Sequence, residues 1–151
     1  MTFTYDDIVD YLRVYFEDFN QYGQNPATIH RMDAYFAPDF EFIPYVAWIP
    51  RVSGRESWYK VLLSHPSGYE KLTPEDIVID MKRMVAVVMI KAEISDSKTG
   101  ELLVTKRYFA RYPMAVDENN KLKIKKLQFF WEVLTPGSME IDDVFDRDRK
   151  K

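Results

Sequence analysis

The sequence predicts an α+β domain in which a curved antiparallel sheet wraps around three N-terminal helices to form a cone. Three stretches with apolar residues at helical spacing fall before residue 65, and four strand-like stretches follow them. One sheet is then left to cover all three helices. Since an element with an apolar face must bury it against another element, the sheet has to curl around the helices. Small-molecule sites form in the mouths of such cones.

Composition places the chain among ordinary globular domains and excludes several partners. Its 151 residues suit one domain, with a core over 5–134 and a C-terminal tail over 135–151. A net charge of −3 supplies no field for nucleic acid. The absence of cysteine fits a reducing compartment, and no apolar run reaches the ~20 residues of a membrane helix. We therefore expect a cytoplasmic protein with neither nucleic-acid nor membrane partners.

Helix boundaries are predicted from capping residues and prolines. The first helix begins after the N-cap Thr4 and ends near Gly23. The second opens at Asn25-Pro26 and is stopped by Pro38. The third opens at Ser53-Gly54-Arg55-Glu56, which has capping-box spacing, and ends before Pro66. Residues of the first helix that form one apolar stripe are Ile8, Tyr11, Leu12, Tyr15, Phe16 and Phe19.

Strands are predicted from alternation and from turn residues. A short strand around Phe40 and Phe42 must be bent or lie at an edge, because Pro44 and Pro50 interrupt it. Longer strands follow over 70–82, 84–90, 102–112 and 122–134, with turns rich in Asp, Ser, Asn and Gly between the later ones. In the last strand Leu127, Phe129 and Trp131 share the inner face, whereas Phe130 faces outward.

Three segments carry a resemblance to a known family: Phe36-Ala37-Pro38-Asp39-Phe40, Ser53-Gly54-Arg55-Glu56 and Phe130-Trp131-Glu132. With the order of elements, they make residues 5–134 resemble the nuclear transport factor 2-like (cystatin-like) superfamily. The similar branches are the SnoaL-like cyclases, ketosteroid isomerase and scytalone dehydratase. The resemblance implies cofactor-free acid-base chemistry, namely isomerisation, dehydration or cyclisation. It also departs from the family, because Ile43 or Pro44 and Arg107 stand where the isomerase has its two aspartates.

Three residues are candidates for catalysis. Tyr15 matches the oxyanion-donating tyrosine of the isomerase by its register, although a tyrosine on a buried stripe also serves the core alone. Arg107 pairs with a ligand carboxylate or enolate if it points inward, and is a surface charge if it points outward. His65 is either an acid-base group or the C-terminal cap of the third helix.

A small apolar or aromatic ligand is the expected partner, together with a second copy of the chain. The open sheet face around Phe130 predicts a homodimer. Metal ligation and a cofactor are not expected, because the chain has neither a metal-binding motif nor a glycine-rich phosphate loop. A non-catalytic binding or interaction module of the same fold is the alternative to an enzyme. The residues expected to contact the ligand are Phe19, Tyr45, Trp48, Trp58, Leu62, Phe109, Phe129 and Trp131.

Overall fold

The computed structural model describes residues 2–45 and 49–130, which form two α-helices, one 3-10 helix and six strands. The helices are α1 (Tyr5–Gln24), the 3-10 helix (Pro26–Ala34) and α2 (Arg55–Leu62). The strands are β1 (Phe36–Pro44), β2 (Val52–Ser53), β3 (Gly68–Asp80), β4 (Val85–Asp96), β5 (Leu102–Val116) and β6 (Leu122–Phe130). The predicted fold class is confirmed: helices pack on one face of a curved sheet.

All six strands form one sheet in the order β2-β1-β6-β5-β4-β3. β3, β4, β5 and β6 pair antiparallel, as predicted. β1 instead runs parallel to β6, with Phe42 opposite Leu127, so the sheet is mixed. β1 comes early in the chain and its partner β6 comes last, so the two strands pair only after the chain has passed through β3, β4 and β5. The register shift between Phe36 and Glu41 gives β1 the predicted bend.

Helix α1 confirms the predicted start and the predicted buried stripe. The Thr4 hydroxyl accepts from the Asp7 amide at 3.1 Å, while the Asp7 carboxylate accepts from the Thr4 amide at 2.8 Å. This reciprocal pair satisfies two of the amides that a helix start leaves without partners. Ile8, Leu12 and Tyr15 are almost completely buried under the sheet. The described helices include none that is long and apolar enough to cross a membrane.

The other two helix predictions need correction at their ends. The second helix is a 3-10 helix that ends at Ala34, and Pro38 lies within β1, where the register shift tolerates a residue without an amide hydrogen. The predicted capping box at α2 is wrong, because Gly54 is the N-cap and makes no side-chain cap bond. Gly54 has φ of 93°, a conformation that favours glycine, so the chain turns there from β2 into the helix.

The two faces of the sheet differ as the alternation in β6 predicts. Leu127 and Phe129 are 8% exposed on the helix side, and Phe130 is 45% exposed on the other. The core fills the space between α1 and the inner face. The rest of the predicted last strand, with Trp131 and Glu132, and the tail over 135–151 lie outside the described residues.

Candidate functional site

A cavity of about 320 Å³ lies inside the cone, between α1, α2 and the inner face of the sheet. Its volume is at the lower end of the range for small-ligand sites. Apolar side chains form most of the wall, which suits a ligand with little polar surface. They are Phe19, Phe42, Ile49, Pro50, Trp58, Val61, Leu62, Leu72, Ile90, Ala110, Leu127 and Phe129.

One wall of the cavity is a continuous set of aromatic rings. The Phe42 ring lies 4.2 Å from Trp58 and 5.2 Å from Phe129, measured between centroids, and is stacked on Phe129. Phe129 in turn contacts the Tyr108 ring at 5.7 Å. Rings packed in this way form a rigid surface with few rotatable bonds, which binds flat apolar molecules at low entropic cost.

Two buried tyrosines form the first polar group in the cavity. Tyr15 of α1 and Tyr112 of β5 are each 1% exposed, and their hydroxyls hydrogen bond to each other. Burial, followed by the effects of Tyr112 and Glu70, raises the pKa of Tyr15 well above its ordinary value of 10.0. Both phenols are therefore neutral at physiological pH and can act as hydrogen-bond donors.

The second polar group is the carboxyl of Glu70 on β3. The Tyr108 hydroxyl donates to Glu70 Oε2 at 3.2 Å. Glu70 as a residue is only partly buried, but protein encloses its carboxyl, and this burial raises its pKa above the ordinary 4.5 although the Tyr108 bond opposes the shift. The charge of Glu70 also contributes to the raised pKa of four tyrosines, namely Tyr15, Tyr22, Tyr108 and Tyr112.

Helix α1 positions the strand that carries Glu70. The Asn20 side chain donates to the Leu72 carbonyl at 2.9 Å and accepts from the Leu72 amide at 2.7 Å, so it binds the free edge of β3. Near the end of the helix, a Cβ on Gly23 would lie 3.0 Å from the Glu70 carbonyl oxygen. Only glycine allows this close approach without a shift of the strand. Glu70 is thus held between two contacts from the helix that also carries Tyr15.

His65 lies in the turn after α2 and lines the same cavity. Because α2 ends at Leu62, the predicted role of His65 as a helix cap is wrong. The Ser64 hydroxyl donates to the Val61 carbonyl at 2.6 Å and lies 3.0 Å from His65 Nδ1. A hydroxyl has a single hydrogen, so Ser64 accepts from Nδ1–H, and the lone pair of neutral His65 is on Nε2.

Six of the predicted site residues line this cavity: Tyr15, Phe19, Trp58, Leu62, His65 and Phe129. Tyr45 does not; it is exposed, and its hydroxyl accepts from Gln128 Nε2 at 3.0 Å. Trp48 and Trp131 lie outside the described residues.

Arg107 and Phe109 belong to the outer face of the sheet, which corrects both as cavity residues. Arg107 is exposed, and its Nε forms an ion pair with Glu75 at 2.6 Å. Phe109 is 40% exposed, and its ring stacks on Phe130 at 5.6 Å. Side chains alternate along a strand, so once Tyr108 faces the cavity its two neighbours must face away.

Sequence reasoning missed Glu70, Tyr108 and Tyr112 as site residues. The signal for the tyrosines was their separation by four positions on one strand, with the small Ala110 midway, which places all three residues on one face. Glu70 had a weaker signal, as an acidic residue two positions before the inward Leu72. What it lacked was any indication that β3 would lie next to the tyrosines.

Among the described residues, one group of three could offer ligand atoms to a metal: His30, Asp33 and Glu56, whose atoms lie within 4.8 Å of one another. Asp33 is already engaged, because Tyr59 donates to it at 2.6 Å and Arg55 forms an ion pair with it at 3.3 Å. The guanidinium opposes a second cation there. None of the three lines the cavity.

No family model and no curated protein sequence matches the chain. Solved structures do match. A nuclear transport factor 2-like protein of unknown function from Burkholderia pseudomallei K96243 has a TM-score of 0.61 at 13% identity, and the match covers 82% of this chain and 89% of that one. The chain has the nuclear transport factor 2-like fold.

Two further structures carry functional names. A ketosteroid isomerase-like protein from Erwinia carotovora atroseptica SCRI1043 matches at 15% identity, with a TM-score of 0.55 and coverage of 80% of this chain and 89% of that one. A protein assigned as a SnoaL-like polyketide cyclase from Jannaschia sp. CCS1 matches at 13% identity, with a TM-score of 0.59 and coverage of 82% and 84%. At these identities the likeness establishes the nuclear transport factor 2-like fold, and function has to be argued from the site.

Proposed function

We propose that the chain binds a small, largely apolar cyclic or aromatic molecule in the cone and transfers a proton on it without a cofactor. The observation that carries this is the Glu70 carboxyl, enclosed on the wall of an apolar cavity near four tyrosines. Its pKa is raised toward neutral pH, and an acid-base group is most effective when its pKa lies near the working pH.

The reaction class follows from what the two polar groups can do together. A substrate carbonyl oxygen would accept from the Tyr112 hydroxyl, whose own oxygen accepts from the Tyr15 hydroxyl, and both phenols are neutral donors in a site shielded from water. Such donors stabilise the negative charge that develops on the oxygen when a proton leaves the neighbouring carbon. Glu70 would take that proton and return it at another carbon. This amounts to isomerisation through an enolate.

The apolar wall selects the substrate. The rings of Phe42, Trp58 and Phe129 offer one flat contact surface, so a planar ring system gains most from the cavity. An anionic substrate would lose its hydration without gaining an ion-pair partner, because the cavity lining has no arginine or lysine among the described residues.

The names of two structural neighbours agree with this chemistry, since one is ketosteroid isomerase-like and the other SnoaL-like. Because their sequence identity is low, these neighbours support only the kind of ligand. The argument for catalysis rests on Glu70 and the tyrosines. A ligand-binding protein without catalysis is the competing function, and the experiment below separates the two.

The test uses 3-cyclohexen-1-one, a small apolar cyclic ketone whose double bond is not conjugated with the carbonyl. Proton transfer converts it to the conjugated isomer, and the ultraviolet absorbance of the product gives the rate. We expect the wild-type protein to accelerate this conversion. Glu70→Gln, which keeps the shape but cannot take a proton, should lower the rate about 10²–10⁴-fold.

The matched control is Glu75→Gln, which makes the same change at an exposed residue of the same strand. Glu75 forms the ion pair with Arg107 on the outer face of the sheet. It should isomerise the ketone at the wild-type rate. Binding of the ketone by the wild type without any conversion would overturn the enzymatic proposal and leave the binding function. Equal rates for wild type and Glu70→Gln would remove Glu70 as the acid-base group.

A further inference from the structure

Glu70 lies between two cavities. Besides the main cavity, a smaller cavity of about 80 Å³ is lined by the end of α1, the turn after α2, the first residues of β3 and the β4–β5 turn. Four residues line both cavities: Phe19, Leu62, His65 and Glu70. The smaller one, here called the side cavity, therefore adjoins the main cavity at Glu70 and His65.

The side cavity has the size and the polar groups to hold water. Its volume of about 80 Å³ exceeds the roughly 10–15 Å³ that a cavity needs to hold one water molecule. Glu70, His65 and Ser97 offer polar atoms along it, and an enclosed water needs at least two such partners. His65, Ser97 and the neighbouring Leu63 are exposed, so this end of the cavity meets bulk solvent.

His65 is oriented to pass a proton. The Ser64 hydroxyl holds Nδ1–H, as described above, which leaves the Nε2 lone pair to accept a proton from a neighbouring water. Imidazole both accepts and releases protons near neutral pH. Ser64 thus acts as a positioning residue for a relay at the solvent end of the side cavity.

A ligand in the main cavity would shut off the other route to solvent. Once the space beside the aromatic wall is filled, water can no longer reach Glu70 from that side. We propose that the side cavity holds a water path through which the Glu70 carboxyl exchanges its proton with solvent, by way of His65, while a substrate is bound. In each exchange the Glu70 carboxyl gives its proton to a water, a water gives a proton to His65 Nε2, and Nε2 releases it to bulk solvent. A solvent proton then returns to the carboxylate by the same transfers in reverse. The substrate step rests on the proposed function, whereas the path itself does not.

Gly68 allows the path to be blocked. It lines the side cavity, and it precedes Glu70 by two residues on β3, so a side chain there points to the same face as Glu70. A Cβ on Gly68 would make ordinary contacts, at 3.6 Å from the Ser95 carbonyl oxygen and 3.7 Å from Ile94 Cγ2. Gly68→Val should therefore fold and fill the side cavity. Gly68→Ala adds a single methyl and serves as the milder variant.

The experiment follows conversion of 3-cyclohexen-1-one in D₂O and measures deuterium at the carbon that receives the transferred proton. With an open path, Glu70 exchanges before it returns the proton, and the product carries solvent deuterium. With Gly68→Val, the product should keep the hydrogen of the substrate, and its deuterium content should fall severalfold at an unchanged conversion rate. Lys71→Val places the same side chain three positions later on β3, on the opposite face, and should match the wild type.

Equal deuterium content for wild type and Gly68→Val at equal rates would overturn the path while leaving the proposed function intact. A crystal structure with an apolar ligand in the main cavity tests the path independently of turnover. Ordered water linking Glu70 to His65 in the side cavity supports the proposal even if the ketone is not converted. A side cavity without ordered water overturns it.

Discussion

At the scale of single residues, function concentrates in groups that burial makes unusual. Glu70, Tyr15 and Tyr112 are polar side chains in an apolar cavity, and each is stabilised in its neutral form there. Deprotonation of any one of them would place a charge where water cannot solvate it. The site is consequently a set of neutral donors and a carboxyl that keeps its proton to a higher pH than an exposed glutamate does.

The raised pKa of Glu70 predicts how stability depends on pH. The folded state keeps the proton to a higher pH than the unfolded state, so the free energy of unfolding should fall as pH rises from the ordinary pKa of 4.5 to the raised one. Glu70→Gln cannot ionise and should escape this loss. Denaturant titrations of both proteins should show Glu70→Gln gaining on the wild type as pH rises through that window. A difference that stays constant with pH would contradict the raised pKa.

The Tyr15–Tyr112 bond predicts strong coupling between two substitutions. Tyr15→Phe alone leaves the Tyr112 hydroxyl buried without its partner, which costs about 1–3 kcal/mol of unfolding free energy. Removing both hydroxyls removes that penalty, so the double variant should be more stable than the sum of the two single effects predicts. Tyr5→Phe is the control, since Tyr5 bonds the Ile77 carbonyl at the surface and should add independently to Tyr15→Phe. Additive effects for Tyr15 and Tyr112 would mean that the hydroxyls do not interact.

At the scale of elements, α1 organises the site more than any strand does. It supplies Tyr15, binds the β3 edge through Asn20 and touches β3 at Gly23. β3 is the last strand of the sheet, so one of its edges has no strand partner. The Asn20 amide supplies one donor and one acceptor to that edge, as a neighbouring strand would.

Loss of the Asn20 side-chain amide should therefore destabilise the edge of β3. Asn20→Ala removes two hydrogen bonds, at about 0.5–1.5 kcal/mol each, and should lower the free energy of unfolding by about 1–3 kcal/mol. Hydrogen exchange at the Leu72 amide should accelerate beyond what this global loss explains. Asn119→Ala, in the exposed turn before β6, should change neither quantity. Unchanged protection of Leu72 would show that Asn20 does not hold the edge.

At the scale of the whole molecule, the helices among residues 2–45 and 49–130 cover one face of the sheet and leave the other face without such cover. Across the outer face, Met89, Phe109 and Phe130 lie opposite one another on β4, β5 and β6 and are 41%, 40% and 45% exposed. The Tyr45 ring contacts Phe130 at its edge, at 6.2 Å. A contiguous apolar patch of this kind is typical of an interface.

This exposed apolar patch is the surface through which we expect the homodimer predicted from the sequence to form. We expect light scattering to give twice the chain mass of 17.9 kDa. Phe130→Glu places a charge between the rings of Phe109 and Tyr45 and should give a monomer with unchanged helix content. Val14→Glu, a similar change at an exposed position of α1, should remain dimeric. A wild-type protein that is monomeric at micromolar concentration would contradict the interface.

The local pattern of the sequence predicted the fold class and the buried faces of α1 and β6, but not the parallel pairing of β1 with β6. The Thr4 cap and the apolar stripe predicted α1, and alternation around Leu127 and Phe129 predicted the inner face of β6. Each of these rests on residues a few positions apart, where helix and strand periods leave little choice. The composition of the cavity wall could be predicted in the same way, since Phe19, Trp58 and Leu62 belong to such patterns.

Only the tertiary structure decided which polar groups meet and which face each strand presents. The first six residues of β5, Leu102–Arg107, are all exposed although three are apolar. The sequence there does not alternate between buried and exposed residues, so the orientation of the Arg107 side chain could not be predicted from it. Glu70 and Tyr108 are separated by 38 positions and meet because β3 and β5 flank β4 in a curved sheet. A strand's period is a local property. Its phase and its neighbours are set by burial against elements far away in the chain, which the local pattern does not contain.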